Sequence, residues 1–338
     1  MKRILVKKIP LYFFVIASGL ALVIIFHLYG ESRAQHVTLK PQAQFVAVAP
    51  QAVTQVRMDN YLLIKPLLYT EISDESQNLK SLKDELLFQI NRMKSAGFVN
   101  EASVYLRKLN DGEWISVNNS VVYSPGSILK IVAAMTYLGM AESNPSLVEK
   151  EFLFTQRKRG VPVQTFNETP LVSGKRYKAK DLISQMIINS DNDATEIINA
   201  NLNIPMFKKL FTDLRIPEPD VQDRNFTMDA ESLSKFLRVL YNATYLNKAN
   251  SEFLLSLLTR SSFNQGIVKS LPPDVVVAHK FGETGTPVEA QLHETAIVYL
   301  ESGAYLLTIM TRGGKVQKLP EIISELSKTV YEKMKANS

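Results

Sequence analysis

A serine and a lysine three positions apart form the first group in this chain that could carry chemistry. Ser127 and Lys130 follow Pro125 and Gly126, which can open a helix, so both side chains share one face of its first turn. A serine hydroxyl becomes nucleophilic when a neighbour takes its proton, and a lysine does this when burial lowers its pKa. The stretch 128–138 is almost wholly apolar, so Lys130 lies on an element expected to be buried. Taken alone, the pattern also fits a helix cap beside a surface lysine.

Two further polar clusters lie downstream. Ser190-Asp191-Asn192 falls between two helical stretches, where its plain interpretation is a polar turn and a helix cap. His279-Lys280-Phe281-Gly282 ends a very apolar strand. A lysine in that position either extends to solvent or binds the carboxylate of a substrate.

Hydrophobic periodicity predicts the elements that must position these residues. Helices are expected over 74–96, 127–140, 179–188, 194–202, 232–241, 252–258 and 320–335, and strands over 102–109, 113–117, 275–280, 294–300 and 304–311. Asn110-Asp111-Gly112 is the turn of a hairpin. This order predicts an α+β fold in which one antiparallel sheet is built from both ends of the domain and an all-helical lobe is inserted between them.

The three clusters taken together carry a family resemblance. They occur in the order S-x-x-K, S-D-N and K-x-G, with Lys130 and Ser190 60 residues apart and Ser190 and Lys280 90 apart. This set is similar to the signature of the penicillin-recognising serine enzymes. The chain from about Asn60 to Lys335 resembles a class A β-lactamase catalytic domain, and 291–299 resembles the strand that follows K-x-G in that family.

The resemblance implies a role for each matching residue. Ser127 would be the acylated nucleophile, Lys130 its proton acceptor, and Ser190 a proton relay toward the leaving nitrogen. The backbone N–H groups of Ser127 and Glu283 would form the oxyanion hole.

The substrate side of the resemblance involves Asn192, Lys280 and Gly282. Asn192 would bind a substrate amide, and Lys280 would attract a substrate carboxylate. The family usually has a hydroxyl residue between this lysine and glycine, whereas Phe281 stands here. Its ring removes a hydrogen bond to the carboxylate and could select another acyl group.

The glutamate that hydrolyses the acyl-enzyme in the family has one candidate here. Glu218, in Glu218-Pro219-Asp220-Val221-Gln222, has the matching residue types but comes about eight residues too early after Ser190-Asp191-Asn192. The alternative is a proline-rich surface turn. In that case acylation would proceed while deacylation would be slow, as in a penicillin-binding protein.

Composition excludes several other functions. The 338 residues contain no cysteine and four histidines without metal-ligand spacing, which argues against a thiol nucleophile, a metal site or any cofactor. The absence of a G-x-S-x-G elbow argues against an α/β-hydrolase. The net charge of +6 is too weak to indicate nucleic acid, because four of the cations precede residue 9.

Those cations precede an uncharged stretch, residues 9–30, which is long enough to span a bilayer. The expected organisation is a cytoplasmic flank with a signal-anchor helix over 1–30, a linker over 31–56 and an extracytoplasmic hydrolase domain over 57–338; a cleaved signal peptide is the alternative. The expected function is a membrane-anchored serine hydrolase acting on β-lactams or acyl-D-Ala-type cell-wall peptides. The alternative is a catalytically impaired module that binds cell-wall peptide or a protein partner.

Overall fold

The structure, a computed structural model, describes residues 52–59, 61–162, 165–166, 170–220, 226–286, 289–314 and 316–336. The anchor expected at 9–30 and all but the end of the expected linker lie outside these ranges. Within them, no helix has the length and apolar character needed to cross a bilayer.

Strands and helices are segregated along the described chain. In chain order they are β1 (Val53–Arg57), β2 (Leu67–Ile72), α1 (Lys80–Ser95), β3 (Glu101–Lys108), β4 (Trp114–Val117), α2 (Lys130–Ser143), β5 (Glu151–Leu153), β6 (Arg176–Lys178), α3 (Ala179–Ile188), α4 (Asn192–Asn199), α5 (Ile204–Asp213), α6 (Ala230–Tyr241), α7 (Lys248–Leu258), β7 (Val276–Thr286), β8 (Glu289–Tyr299), β9 (Tyr305–Gly313) and α8 (Leu319–Ala336).

One five-stranded sheet organises the domain. Its order is β4-β3-β9-β8-β7, and every neighbouring pair is antiparallel. The early hairpin β3–β4 therefore pairs with the late strand β9, and the helices from α2 to α7 lie between them in sequence. The α+β fold with a sheet from both ends and an inserted helical lobe is confirmed.

The sheet separates two apolar cores because its side chains alternate between faces. On β9, Leu306 and Met310 join the core shared with α2, α3, α6 and α7, whereas Leu307 and Ile309 join the core shared with α1 and α8. The structure is thus three-layered, with the helical lobe on one face and the two terminal helices on the other.

Helix α2 runs through the centre of the helical lobe. Its residues from Lys130 to Gly139 are all buried, as its nearly continuous apolar sequence predicts. This placement buries Lys130, the only charged residue among those ten.

Several elements differ from the sequence expectation, including the short strands β5 and β6, which were not predicted. Strand β1 pairs with β2, so the folded domain begins before residue 57 and takes in the last residues of the predicted linker. Helix α5 was not anticipated, although Asn203 caps it and Pro205 stands in its first turn. Strands β7 and β8 are longer than the apolar pattern indicates, since their polar ends pair from Lys280↔Thr295 through Thr286↔Glu289.

A buried ion triad ties β2 to the sheet and the helical lobe. The Glu71 carboxylate accepts hydrogen bonds from Arg107 at 2.6 Å and from Arg238 at 2.5 Å, and both arginine side chains are at least 94% buried. The single carboxylate therefore supplies one negative charge between two nearly buried guanidinium groups.

Glu71→Gln is expected to lower the free energy of unfolding by about 3 kcal/mol, because two buried guanidinium groups lose their counter-charge. Denaturant unfolding measures this change. Glu325→Gln is the matched control, because its ion pair with Arg92 is exposed and should be worth less than about 1 kcal/mol. If both variants lost the same free energy of unfolding, the triad would not be stabilising.

Candidate active site

The S-x-x-K pair lies where a short 3-10 turn passes into α2. Ser127 belongs to the turn Gly126–Leu129 and is partly exposed, and Lys130 is the first residue of α2. Gly126 has φ 54°, a left-handed conformation that favours glycine. The local sequence thus fixes the serine at an accessible edge and carries the lysine into the core.

The S-D-N segment covers the last two residues of the three-residue break between α3 and α4 and the first residue of α4. Ser190 is fully buried with φ 54°, a conformation that a non-glycine residue keeps only when its surroundings hold it. Asp191 caps α4 by accepting the Ala194 N–H at 2.6 Å. Asn192 then opens α4, so helix capping determines where this amide stands.

Lys130 connects the serine turn to the S-D-N segment. Its Nζ donates to the Ser190 carbonyl, to Ser190 Oγ at 3.2 Å and to Asn192 Oδ1 at 2.6 Å. Burial lowers the pKa of Lys130 to about 7, partly offset by the carboxylates of Asp191 and Glu283. Among the described residues, none of the hydrogen bonds of Lys130 goes to Ser127.

Lys280 reaches the same segment from the opposite side. Its Nζ donates to Ser190 Oγ at 2.8 Å and to the Phe281 carbonyl at 2.8 Å, and its side chain has no exposed surface. Complete burial, reinforced by the positive charge of Lys130, holds the pKa of Lys280 well below its usual range. The Ser190 hydroxyl therefore lies between two lysines that lose their protons readily.

The oxyanion candidates lie on two backbone segments that meet closely. A Cβ added at Gly282 would lie 2.7 Å from the Pro125 carbonyl oxygen and 2.9 Å from the Ile128 nitrogen. A Cβ added at Gly126 would lie 2.8 Å from the Glu283 carbonyl oxygen. Glycine at both positions lets β7 approach the serine turn, which brings the segments bearing the Ser127 and Glu283 N–H groups together.

Two residues of β8 support the serine turn and were not assigned a role from the sequence. Gln291 Oε1 accepts the Ser124 N–H at 3.1 Å, and His293 Nε2 donates to the Ser124 carbonyl at 3.0 Å. Burial lowers the pKa of His293 to about 3, so its neutral ring also accepts the Thr311 N–H. These two residues are two positions apart on a strand, so their side chains lie on the same face of the sheet. This spacing was the signal in the sequence that could have indicated a shared role.

Phe281 does not border the nucleophile as its position in K-x-G suggested. Its ring is fully buried and stacks on Phe263 with centroids 4.4 Å apart, with Phe166 packed edge-on at 6.4 Å. The Lys280 Nζ lies 4.4 Å from the centre of the same ring. Phe281 therefore fills the core behind Lys280, and an acyl group cannot be selected by direct contact with it.

The segment before β6 contacts both sides of the expected substrate cleft. Asn192 Nδ2 donates to the Pro162 carbonyl at 2.9 Å, and the Thr165 N–H donates to Glu283 Oε1 at 2.5 Å. Asn192 and Glu283 flank the nucleophile from α4 and β7. These contacts engage the amide that the resemblance assigns to substrate.

Glu218 lies apart from the other candidates. Its side chain is exposed, and Oε1 accepts the Thr212 hydroxyl at 2.6 Å, which directs the carboxylate toward α5. A cavity of about 430 Å³ beside Ser127 and Lys130 is lined instead by Asp220, two residues later. The structure thus brings Lys130, Ser190, Asn192 and Lys280 together, whereas Glu218 is outside the group.

In the described ranges, no group of three or more histidine, aspartate or glutamate side chains is placed to hold a metal ion.

A family model described as the beta-lactamase enzyme family matches residues 85–334. No curated protein matches the chain.

Several solved structures share the fold at low sequence identity. A mutant of PBP-A in an acyl-enzyme complex with penicillin G has a TM-score of 0.64 and 18% identity, with 76% of this chain and 97% of that chain covered. The TLA-3 extended-spectrum beta-lactamase has a TM-score of 0.64 and 17% identity, covering 75% and 99%. A beta-lactamase from Francisella tularensis has a TM-score of 0.62 and 18% identity, covering 76% and 100%.

Proposed function

The chain belongs to the beta-lactamase enzyme family, and on this premise we propose that it is a serine hydrolase of the class A-like group that forms an acyl-enzyme on Ser127. The observation that carries the proposal is the convergence of two buried lysines, Lys130 and Lys280, on the Ser190 hydroxyl beside the serine turn. Burying two lysines costs free energy even when both are hydrogen-bonded, and such an arrangement is typical of a functional site.

The roles that the resemblance assigns give the following proposed sequence of steps. Neutral Lys130 takes the proton of Ser127 Oγ as that oxygen bonds to the substrate carbonyl carbon. The carbonyl oxygen becomes negative and is stabilised by the N–H groups of Ser127 and Glu283. The bond from carbon to the leaving group breaks, and the proton passes through Ser190 to the leaving nitrogen. Water then hydrolyses the ester on Ser127.

The proposed substrates are β-lactams or acyl-D-Ala-type peptides. A structural relative, the PBP-A mutant, is described as an acyl-enzyme with penicillin G. Lys280, which the resemblance assigns to the substrate carboxylate, is buried behind Ser190, and its lowered pKa means that it carries a positive charge less readily than an ordinary lysine.

Incubation with a fluorescent penicillin tests the proposal. We expect covalent label on Ser127, detected by mass, and none in Ser127→Ala. Ser256→Ala, an exposed serine on α7, is the matched control and should label normally. Absence of label at high reagent excess would favour a non-catalytic binding module, for which the contacts of Pro162 with Asn192 and of Thr165 with Glu283 are the supporting observation.

The lifetime of the acyl-enzyme depends on which carboxylate reaches it. Because Glu218 is exposed and bound to Thr212, Glu218→Gln should change the decay rate of the adduct by less than twofold. Asp220→Asn should slow decay at least tenfold, because Asp220 lines the cavity beside Ser127. Time-resolved mass spectrometry of the labelled protein measures both. The reverse ranking would restore Glu218 as the hydrolytic base.

We also propose that residues 9–30 anchor the protein in the cytoplasmic membrane with the hydrolase domain outside. The apolar stretch and its basic flank support this orientation. The turn between β1 and β2 adds support, because its Leu62 and Leu63 are 97% and 90% exposed, as suits contact with lipid. The full-length protein should stay in the membrane fraction during alkaline extraction, whereas a variant that lacks residues 9–30 should be released. A deletion variant that stays in the membrane fraction would contradict the anchor.

A further inference from the structure

The cavity beside Ser127 is large and lies on the α4–α5 side of the nucleophile. Its volume of about 430 Å³ is in the range of small-molecule sites. Ser127 and Lys130 line it together with residues of α2, α4 and α5 and with Pro219, Asp220 and Phe226. A group placed there is therefore next to the reacting hydroxyl.

Apolar side chains form most of its wall. They are Leu129 and Ala133 from the start of α2, Leu202 and Ile204 around the start of α5, Phe207 on α5, and Phe226. Lys130 is the one cation among the lining residues, and its Nζ is engaged with Ser190 and Asn192. Thr195, Asn199 and Asp220 are the other polar residues of the wall, and the apolar residues outnumber them. The wall thus favours an occupant that is largely apolar.

The side chains of Asn192 and Glu283 are already engaged. The Pro162 carbonyl accepts the amide of Asn192, and the Thr165 N–H is bound by Glu283. A substrate that relied on the Asn192 amide would have to break the first of these contacts. A substrate held by an apolar group in the cavity keeps both.

From these observations we propose that the cavity binds the acyl chain of the substrate, and that the preferred substrates are esters or amides of apolar carboxylic acids about four to eight carbons long. The inference rests on the proposed acyl-enzyme at Ser127 and specifies its substrate class. Acylation joins Ser127 Oγ to the acyl carbon and breaks its bond to the alcohol or amine, which leaves with the serine proton. Water then adds to the same carbon, releasing the carboxylic acid and restoring the serine.

The test measures chain-length preference in the full-length protein. Hydrolysis of 4-nitrophenyl acetate, butanoate, hexanoate and octanoate gives kcat/KM for each. Each methylene buried in the cavity should raise kcat/KM about fourfold until the cavity is filled. Ala133→Leu narrows the cavity and should lower the hexanoate-to-acetate ratio at least fivefold. Phe207→Ala enlarges it and should move the optimum to a longer chain. Ala96→Leu, at the exposed end of α1, is the matched control and should change nothing.

A binding measurement separates the site from the chemistry. Hexanoate, which is not a substrate, is added to the full chain in lipid nanodiscs, and saturation-transfer NMR compares it with empty nanodiscs. Binding that Ala133→Leu abolishes and Ala96→Leu preserves supports the site, even if no ester reacts and the proposed acyl-enzyme fails. Hexanoate that does not bind, or binds equally to both variants, overturns the acyl site. The acyl site is also overturned if Ser127 reacts but the hexanoate-to-acetate ratio of kcat/KM is unchanged in Ala133→Leu and Phe207→Ala. That result would leave the proposal of a serine hydrolase in place.

Discussion

Replacing Lys130 with methionine is expected to slow acylation of Ser127 by a factor of about 10²–10⁴, which is the usual contribution of a positioned base. Methionine keeps the unbranched, apolar stem in the centre of the helical lobe but cannot accept the serine proton. The rate of covalent labelling by a fluorescent penicillin, followed from milliseconds to hours, measures the effect. Lys328→Met is the control, because that lysine is exposed on α8.

The pH dependence of acylation distinguishes a base from a structural lysine. Burial places the pKa of Lys130 near 7, and only the neutral amine can take a proton. The acylation rate should therefore fall about tenfold for each pH unit below 7 and level off above about pH 8. A lysine with an ordinary pKa near 10.5 would still gain activity above pH 10. A rate that is flat from pH 5.5 to 9 would exclude Lys130 as the base.

The stability of the Lys130→Met variant must be measured alongside its rate. The substitution removes three hydrogen bonds, to the Ser190 carbonyl, Ser190 Oγ and Asn192 Oδ1, so the S-D-N segment loses part of its support. If the only effect of Lys130→Met were to shift Ser190, the variant would acylate more slowly but its rate would depend on pH as the rate of the wild type does. Loss of both the rate and the pH dependence is the result that assigns the proton transfer to Lys130.

Local patterns were sufficient to predict most of the fold. Helix α3 has the predicted bounds, Ala179–Ile188, because its apolar spacing and the polar break after it are both local signals. The segregation of strands from helices gave the sheet built from both ends. Helix α5 was missed although Phe207, Leu210 and Phe211 recur at helical spacing, because Pro205 is read as a helix breaker unless it is recognised as part of the first turn.

The site was predictable where motif residues determine their own local geometry. Ser127 and Lys130 share one turn, and Asp191 caps its own helix, so spacing alone placed them. Phe281 was misjudged because strand alternation does not reveal what covers each face; only the distant Phe263 and Phe166 show that its ring is in the core. Glu218 depended on loop conformation, where a single hydrogen bond to Thr212 decides the direction of the carboxylate.

The contacts across the cleft could not have been found from the sequence. Pro162 and Asn192 are 30 residues apart, and Thr165 and Glu283 are 118 apart. Both bonds use a backbone group on one side, so no residue type marks them. The support of Ser124 by Gln291 and His293 is similarly non-local and similarly uses the backbone.

Gly282→Ala is expected to reduce the acylation rate by a factor of about 10²–10³, close to the loss of one oxyanion donor. The new Cβ would lie 2.7 Å from the Pro125 carbonyl oxygen and 2.9 Å from the Ile128 nitrogen. Both neighbours are backbone atoms, so the clash is relieved only by moving β7 away from the serine turn. That movement separates the segments that bear the Ser127 and Glu283 N–H groups.

Gly314→Ala is the matched control, because a Cβ there meets no atom within 4 Å. It should acylate at the wild-type rate. Overpacking at Gly282 should also lower the free energy of unfolding by about 1–3 kcal/mol, so the rate is compared under conditions where both variants are folded. The expected signature is a slower chemical step with little change in the concentration of penicillin that half-saturates it, because oxyanion donors act chiefly on the transition state. A folded Gly282→Ala protein that acylates as fast as Gly314→Ala would show that the negative oxygen is stabilised elsewhere, since the close approach of β7 to the serine turn would then have no effect on the reaction.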